Sequence, residues 1–136
     1  MPERAGLESY SSAVTFRPEH KGGPGLVHGG IVGAALDEAC GLLATWHRFP
    51  AVTARIEIRY RRPVPINREL VVSARLAASR GRRFEIAGEL HDGSELLAAA
   101  EGTFVNVPLE HFLATAEGRA AGEAWRARLG AQEPGG

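Results

Sequence analysis

Residues 28–46 read His28-Gly29-Gly30 and then IVGAALDEACGLLATW, from Ile31 to Trp46. The run is long enough for several helical turns and carries only two charges, Asp37 and Glu38. Its apolar residues fall on every side of a helical projection rather than on one stripe. It therefore reads as a helix buried all round. An ionised carboxylate in such a helix is costly unless it is paired, hydrogen-bonded or open to a cavity. That makes it a candidate for chemistry. Neighbouring helix positions are about 100° apart, so Asp37 and Glu38 cannot share a face. Asp37 is the functional candidate, and Glu38 is expected to be structural.

The residues before this helix are Lys21-Gly22-Gly23-Pro24-Gly25-Leu26-Val27. Glycines here permit tight turns and close approach by a ligand. Gly29 and Gly30 fall at the predicted helix N-terminus, where the first amides lack helical partners and the dipole favours negative charge. That is a potential oxyanion site. A glycine pair alone is weak evidence, but here a carboxylate follows the histidine by nine residues on an apolar helix.

Downstream the period changes to two. Val52, Ala54, Ile56, Ile58 and Tyr60 alternate with Thr53, Arg55, Glu57, Arg59 and Arg61, the pattern of a half-buried antiparallel strand. Further strands are expected from Leu70 to Leu76, from Phe84 to Leu90 and from Leu96 to Val107, with turns at residues 66–69, at Gly81 and at Asp92-Gly93. The last of these is apolar on both faces, so it belongs inside the sheet. A first strand is expected at Ala13–Phe16, ended by Pro18. The order is β-α-β-β-β-β, an α+β fold with an antiparallel sheet wrapped around one long helix. One domain over 1–136 is expected, with a core at about 10–108. A short helix around 123–129 and a peripheral or disordered tail over 114–136 complete the reading.

The chain has 136 residues with 16 basic and 16 acidic side chains. That balance argues against a nucleic-acid partner. The single cysteine, Cys40, precludes an intrachain disulfide and reads as a small buried core residue. No signal-like segment or membrane-spanning run is seen, so a cytoplasmic location without a membrane partner is expected. The five histidines show no metal-ligand spacing, and no metal is expected. Arginines cluster twice, as Arg59, Arg61 and Arg62 and as Arg80, Arg82 and Arg83. Their rigid forks suit phosphate, although such runs are also ordinary solvated strand faces and turns.

The segments GPGLVHGGIVGAALDEACG (23–41), VTARIEIRYRRPVPINRELVVSARL (52–76) and AGELHDGSELLAAAEGTFVNV (87–107) resemble the hotdog-fold acyl-CoA thioesterases. The resemblance is to the branch related to phenylacetate-pathway thioesterases and the human thioesterase-superfamily members. It implies hydrolysis of a medium-chain or aromatic acyl-CoA, with coenzyme A as part of the substrate and no separate cofactor. Asp37 would be general base or nucleophile, the Gly29 amide the oxyanion donor with Gly30 beside it, and His28 a loop-orienting or thioester-contacting group. Thr53, seven residues before the tyrosine of Tyr60-Arg61-Arg62-Pro63, would hold the attacking water. In the family's dimers it is expected from the partner subunit, opposite Asp37. Many relatives carry an asparagine six residues before the histidine; Gly22 stands there. The resemblance also implies a dimer or dimer of dimers with the acyl site at the interface, and makes both arginine clusters candidates for the nucleotide phosphates. Alternatives are a non-catalytic acyl-CoA binding module, or a hydratase or dehydratase of acyl thioesters on the same fold.

Overall fold

The computed structural model describes residues 8–112. Strand β1 (Ser9–Thr15) leads through a 3-10 turn at Pro18–His20 to a small hairpin, β2 (Lys21–Gly23) and β3 (Leu26–Val27). Helix α1 spans Gly29–His47. Four long strands follow: β4 (Ala51–Tyr60), β5 (Glu69–Arg80), β6 (Arg83–Asp92) and β7 (Glu95–Asn106). A turn of helix, α2 (Leu109–Phe112), lies in a second compact unit that starts at Val107. The expectations for a helix at 123–129 and for the tail over 114–136 lie outside the described residues.

The five long strands form one antiparallel sheet in the order β1-β5-β6-β7-β4. This is the hotdog architecture. Strand β7 lies between β6 and β4, as its two-sided apolar sequence requires. The β5–β6 and β6–β7 hairpins turn at Gly81 and Gly93, whose φ of 60° and 59° side chains other than glycine rarely adopt. The first strand starts four residues earlier than the sequence suggested, and the β2–β3 hairpin occupies what read as a plain glycine loop.

Helix α1 differs from the sequence reading in one respect. Its buried residues are Val32, Leu36, Ala39, Cys40, Leu43 and Ala44, a single stripe at helical spacing. They pack on inward side chains such as Leu70, Val72, Phe84, Ile86, Leu90 and Phe104. The opposite side is open in the single chain: Ala34 and Glu38 are only partly covered or exposed, and Ile31 is 36% exposed. The reason is geometric, because one sheet covers only one side of a helix.

The second difference lies in β4. Pairing with β7 runs Thr53 to Phe104 and then Arg55 to Thr103, so Ala54 is an extra residue, a β-bulge. One inserted residue exchanges the faces of everything before it. Ile56 and Ile58 point to the helix, but so do Ala51 and Thr53, whose partner Phe104 is in the core. Strict alternation had put Thr53 outward with Arg55 and Glu57.

Candidate active site

The N-terminal turn of α1 is built from backbone. His28 is the N-cap, and its Nδ1 accepts the Gly30 amide at 2.9 Å. The His28 carbonyl accepts the amides of Ile31 and Val32 at 2.9 and 3.1 Å. Among the described residues nothing accepts from the Gly29 amide, so this first helical N–H is left for a ligand. Of the two glycines, Gly29 therefore offers a free donor, while the Gly30 donor is already engaged by His28. A side chain at Gly22 would sit 2.8 Å from the His28 Cα, so the loop passes too close there for the asparagine of many relatives.

Asp37 lies two turns further along α1 and is partly buried. The Thr53 hydroxyl donates to its Oδ1 at 3.1 Å. This contact is within one chain, which corrects the expectation that the threonine would reach Asp37 from the partner subunit. The bulge at Ala54 is what turns Thr53 to the helix. Cys40, one turn on, is fully buried, and Gly88 of β6 gives it room: a Cβ there would come within 2.8 Å of its Sγ. Burial, and then the Asp37 charge, push the Cys40 thiol up to about 12, so it stays protonated and is no nucleophile.

Gly29 and Asp37 are eight residues apart on a helix that rises about 1.5 Å per residue. They are therefore separated by about 12 Å along the axis, too far for both to act on one carbonyl. Thr53 clusters with Asp37, and His28 and Gly30 cluster with Gly29.

The arginine clusters lie at opposite ends of the sheet. Arg61 and Arg62 line a cleft of about 310 Å³ together with Gly29, Val32 and Tyr60. Arg62 pairs with Glu95 at 3.5 Å and Arg59 with Glu57 at 3.2 Å, both exposed. Arg80, Arg82 and Arg83 surround the β5–β6 turn, where Arg82 donates to the Asn106 carbonyl. That turn is separated from the other end by the length of β6, roughly 30 Å. No arginine of either cluster touches Asp37 among the described residues. Among the described residues no group of His, Cys, Asp and Glu could hold a metal ion, and no helix is long and apolar enough to cross a membrane.

Sequence reasoning passed over Tyr60 as a site residue. Its hydroxyl donates to the Gly29 carbonyl at 2.6 Å, and its ring lies over Gly29 and Gly33. Its local signals were its place at the end of an amphipathic strand and at the head of Tyr60-Arg61-Arg62-Pro63.

Residues 24–99 match the family model described as thioesterase superfamily. Acyl-coenzyme A thioesterase THEM4 of Bos taurus is 30% identical over 95 residues, which are 68% of this chain and 39% of that protein. The chain thus spans about two fifths of the length of the curated relatives it matches. A solved phenylacetic acid degradation-related protein of Ralstonia eutropha JMP134 is 26% identical, covering 71% of this chain and 75% of that one with a TM-score of 0.67. The acyl-CoA hydrolase of Staphylococcus aureus, solved with butyryl coenzyme A, shares the fold at a TM-score of 0.67 and 20% identity, over 74% of this chain and 63% of that one.

Proposed function

We propose, from the premise that this chain belongs to the thioesterase superfamily, that it hydrolyses an acyl-CoA to the free acid and CoA. The observation that carries the reading is Asp37, a partly buried carboxylate on an apolar helix that accepts the Thr53 hydroxyl. Thioester hydrolysis needs a group to activate water or attack the acyl carbon, and donors for the oxygen that becomes negative. Asp37 supplies the first in either of two ways. As general base it takes a proton from water while the water oxygen bonds to the acyl carbon. As nucleophile it forms a mixed anhydride that water then opens. In both, the free Gly29 amide stabilises the oxyanion, the C–S bond breaks, and the sulfur leaves with a proton as CoA. Thr53 positions Asp37 or the attacking water. No cofactor takes part.

The gap of about 12 Å between Gly29 and Asp37 implies that a complete site needs two copies of the chain. His28 and Gly29 come from one, Asp37 and Thr53 from the other, with two such sites related by a twofold axis. The open side of α1 supports this arrangement. Ile31 and Ala34 are not fully covered there, and β4 is an edge strand with one side unpaired in the single chain. Arg61 and Arg62 line the same cleft as Gly29, which makes them better placed for the CoA phosphates than Arg80, Arg82 and Arg83. A medium-chain or aromatic acyl group is what the resemblance implies.

The test is thiol release from short, medium and aromatic acyl-CoAs, wild type beside Asp37→Ala. Turnover of at least one substrate is expected, reduced about a hundredfold or more in the variant, or roughly 2.7 kcal/mol of transition-state stabilisation. An Asp37→Ala protein with full activity contradicts the assignment of Asp37. A wild type that binds acyl-CoA without turnover contradicts the enzyme reading.

A further inference from the structure

Tyr60 closes β4 and is 54% exposed, so burial alone does not hold it. What fixes it is the hydroxyl bond to the Gly29 carbonyl, at 2.6 Å, and a platform of two glycines under its ring. A Cβ on Gly29 would meet the ring at 3.6 Å, and one on Gly33 would meet the hydroxyl at 3.4 Å.

The carbonyl that Tyr60 reaches belongs to the same peptide group as the Gly30 N–H. That N–H donates to His28 Nδ1 at 2.9 Å. A donor on a peptide oxygen polarises the group and strengthens its N–H as a donor in turn. The three groups form one directed chain: Tyr60 O–H to the Gly29 carbonyl, then Gly30 N–H to His28 Nδ1. A backbone amide can only donate, so Nδ1 must present its lone pair. The neutral ring therefore carries its proton on Nε2. His28 is exposed, which leaves that Nε2–H open at the N-terminus of α1.

We infer that Tyr60 is a positioning residue, acting through the Gly29–Gly30 peptide to hold His28 as an Nε2–H donor toward the thioester. The inference rests on the thioesterase reading for its catalytic part, but its structural part can be measured without turnover. Tyr60→Phe keeps the ring on its glycine platform and removes only the donor.

Two readouts decide the matter. In NMR, wild type is expected to show the neutral His28 ring as the Nε2–H tautomer with the Gly30 amide proton shifted downfield by its bond to Nδ1, and Tyr60→Phe to move that proton upfield as the bond weakens. On the best acyl-CoA substrate, Tyr60→Phe is expected to lower kcat about tenfold with KM changed less than about twofold, since the lost contact serves the reacting state. If the Gly30 amide proton is unshifted in Tyr60→Phe, or kcat is unaltered, the inference is overturned. If wild type hydrolyses no acyl-CoA, the proposed function fails, and the NMR comparison alone upholds or overturns the relay.

Discussion

Helix α1 carries two chemically different regions two turns apart. The first, His28–Gly33, is made of backbone. Its resources are the free Gly29 amide, the Gly30 amide on His28, and the lack of side chains that lets Tyr60 lie across it. The second, around Asp37, is made of side chains. A carboxylate is held by a threonine delivered through a strand bulge, over a core packed around Cys40 and Gly88. The first region is open and the second lies against the core. A backbone donor stays in place because the helix fixes it, so it needs no burial. A carboxylate needs neighbours to fix its direction, and so the second region depends on packing.

Four substitutions or titrations probe this contrast. The largest effect is expected at the first region. Proline is tolerated at the first helical position, and His28 already has the extended backbone that proline demands of the preceding residue, with φ −59° and ψ 134°. Gly29→Pro should thus delete one N–H and little else. Its kcat should fall about 100- to 1000-fold, as for loss of an oxyanion donor, with an unchanged melting temperature. A small kcat effect would remove the Gly29 amide from the mechanism.

The packing beneath the second region should respond in stability. Gly88→Ala forces a Cβ to within 2.8 Å of Cys40 Sγ, and denaturant melts should show a loss of about 1–3 kcal/mol. Adding Cys40→Ala should restore much of it, because the two sites share one contact. Additive losses would mean that the strain is relieved elsewhere.

Next in size is Thr53→Val, which keeps the shape and removes the hydroxyl bond to Asp37. About a tenfold fall in kcat/KM is expected, or roughly 1.4 kcal/mol. An unchanged pH–rate profile and rate would reduce Thr53 to a strand residue.

The smallest effect concerns pH. The Cys40 thiol is raised from 9.0 to about 12 in the fold, chiefly by burial and then by the Asp37 charge. A raised thiol makes its contribution to folding stability complete below pH 9 and lets it fall as the unfolded chain ionises, from about pH 9 toward pH 12. At neutral pH the contribution to any pH dependence is nil. Stability curves for wild type and Cys40→Ala should run parallel below pH 9, with the wild-type curve falling more steeply above it, and native Cys40 should resist thiol reagents until the chain unfolds.

Much of this was legible in the sequence, for reasons of period and composition. Alternation marked β4, β5 and β6, the two-sided apolar run placed β7 inside the sheet, and glycines marked the turns at Gly81 and Gly93. Asp37 stood out because an ionised carboxylate in an apolar helix is costly unless the fold gives it a partner or a cavity. Two features were hidden. The bulge at Ala54 is a pairing event between β4 and β7, and a single residue out of step leaves no trace in a pattern of apolar and polar letters. It alone decides that Thr53 meets Asp37. The Tyr60–Gly29 bond joins residues far apart in sequence, and nothing local distinguishes that hydroxyl from one in solvent. The helix that read as buried all round is covered on one side only. Its apolar letters were a true signal of contact, but the cover for the second side does not come from the described part of the same chain.

If the two regions of α1 meet across two copies rather than within one, two variants that are each inactive alone should complement each other. Asp37→Ala keeps the first region and Gly29→Pro keeps the second. Co-expressed and assembled at random, about half the dimers are mixed, and each mixed dimer contains one site with both parts intact. Recovery of about a quarter of wild-type thiol release is expected. Recovery no greater than the sum of the two separate variants would contradict it.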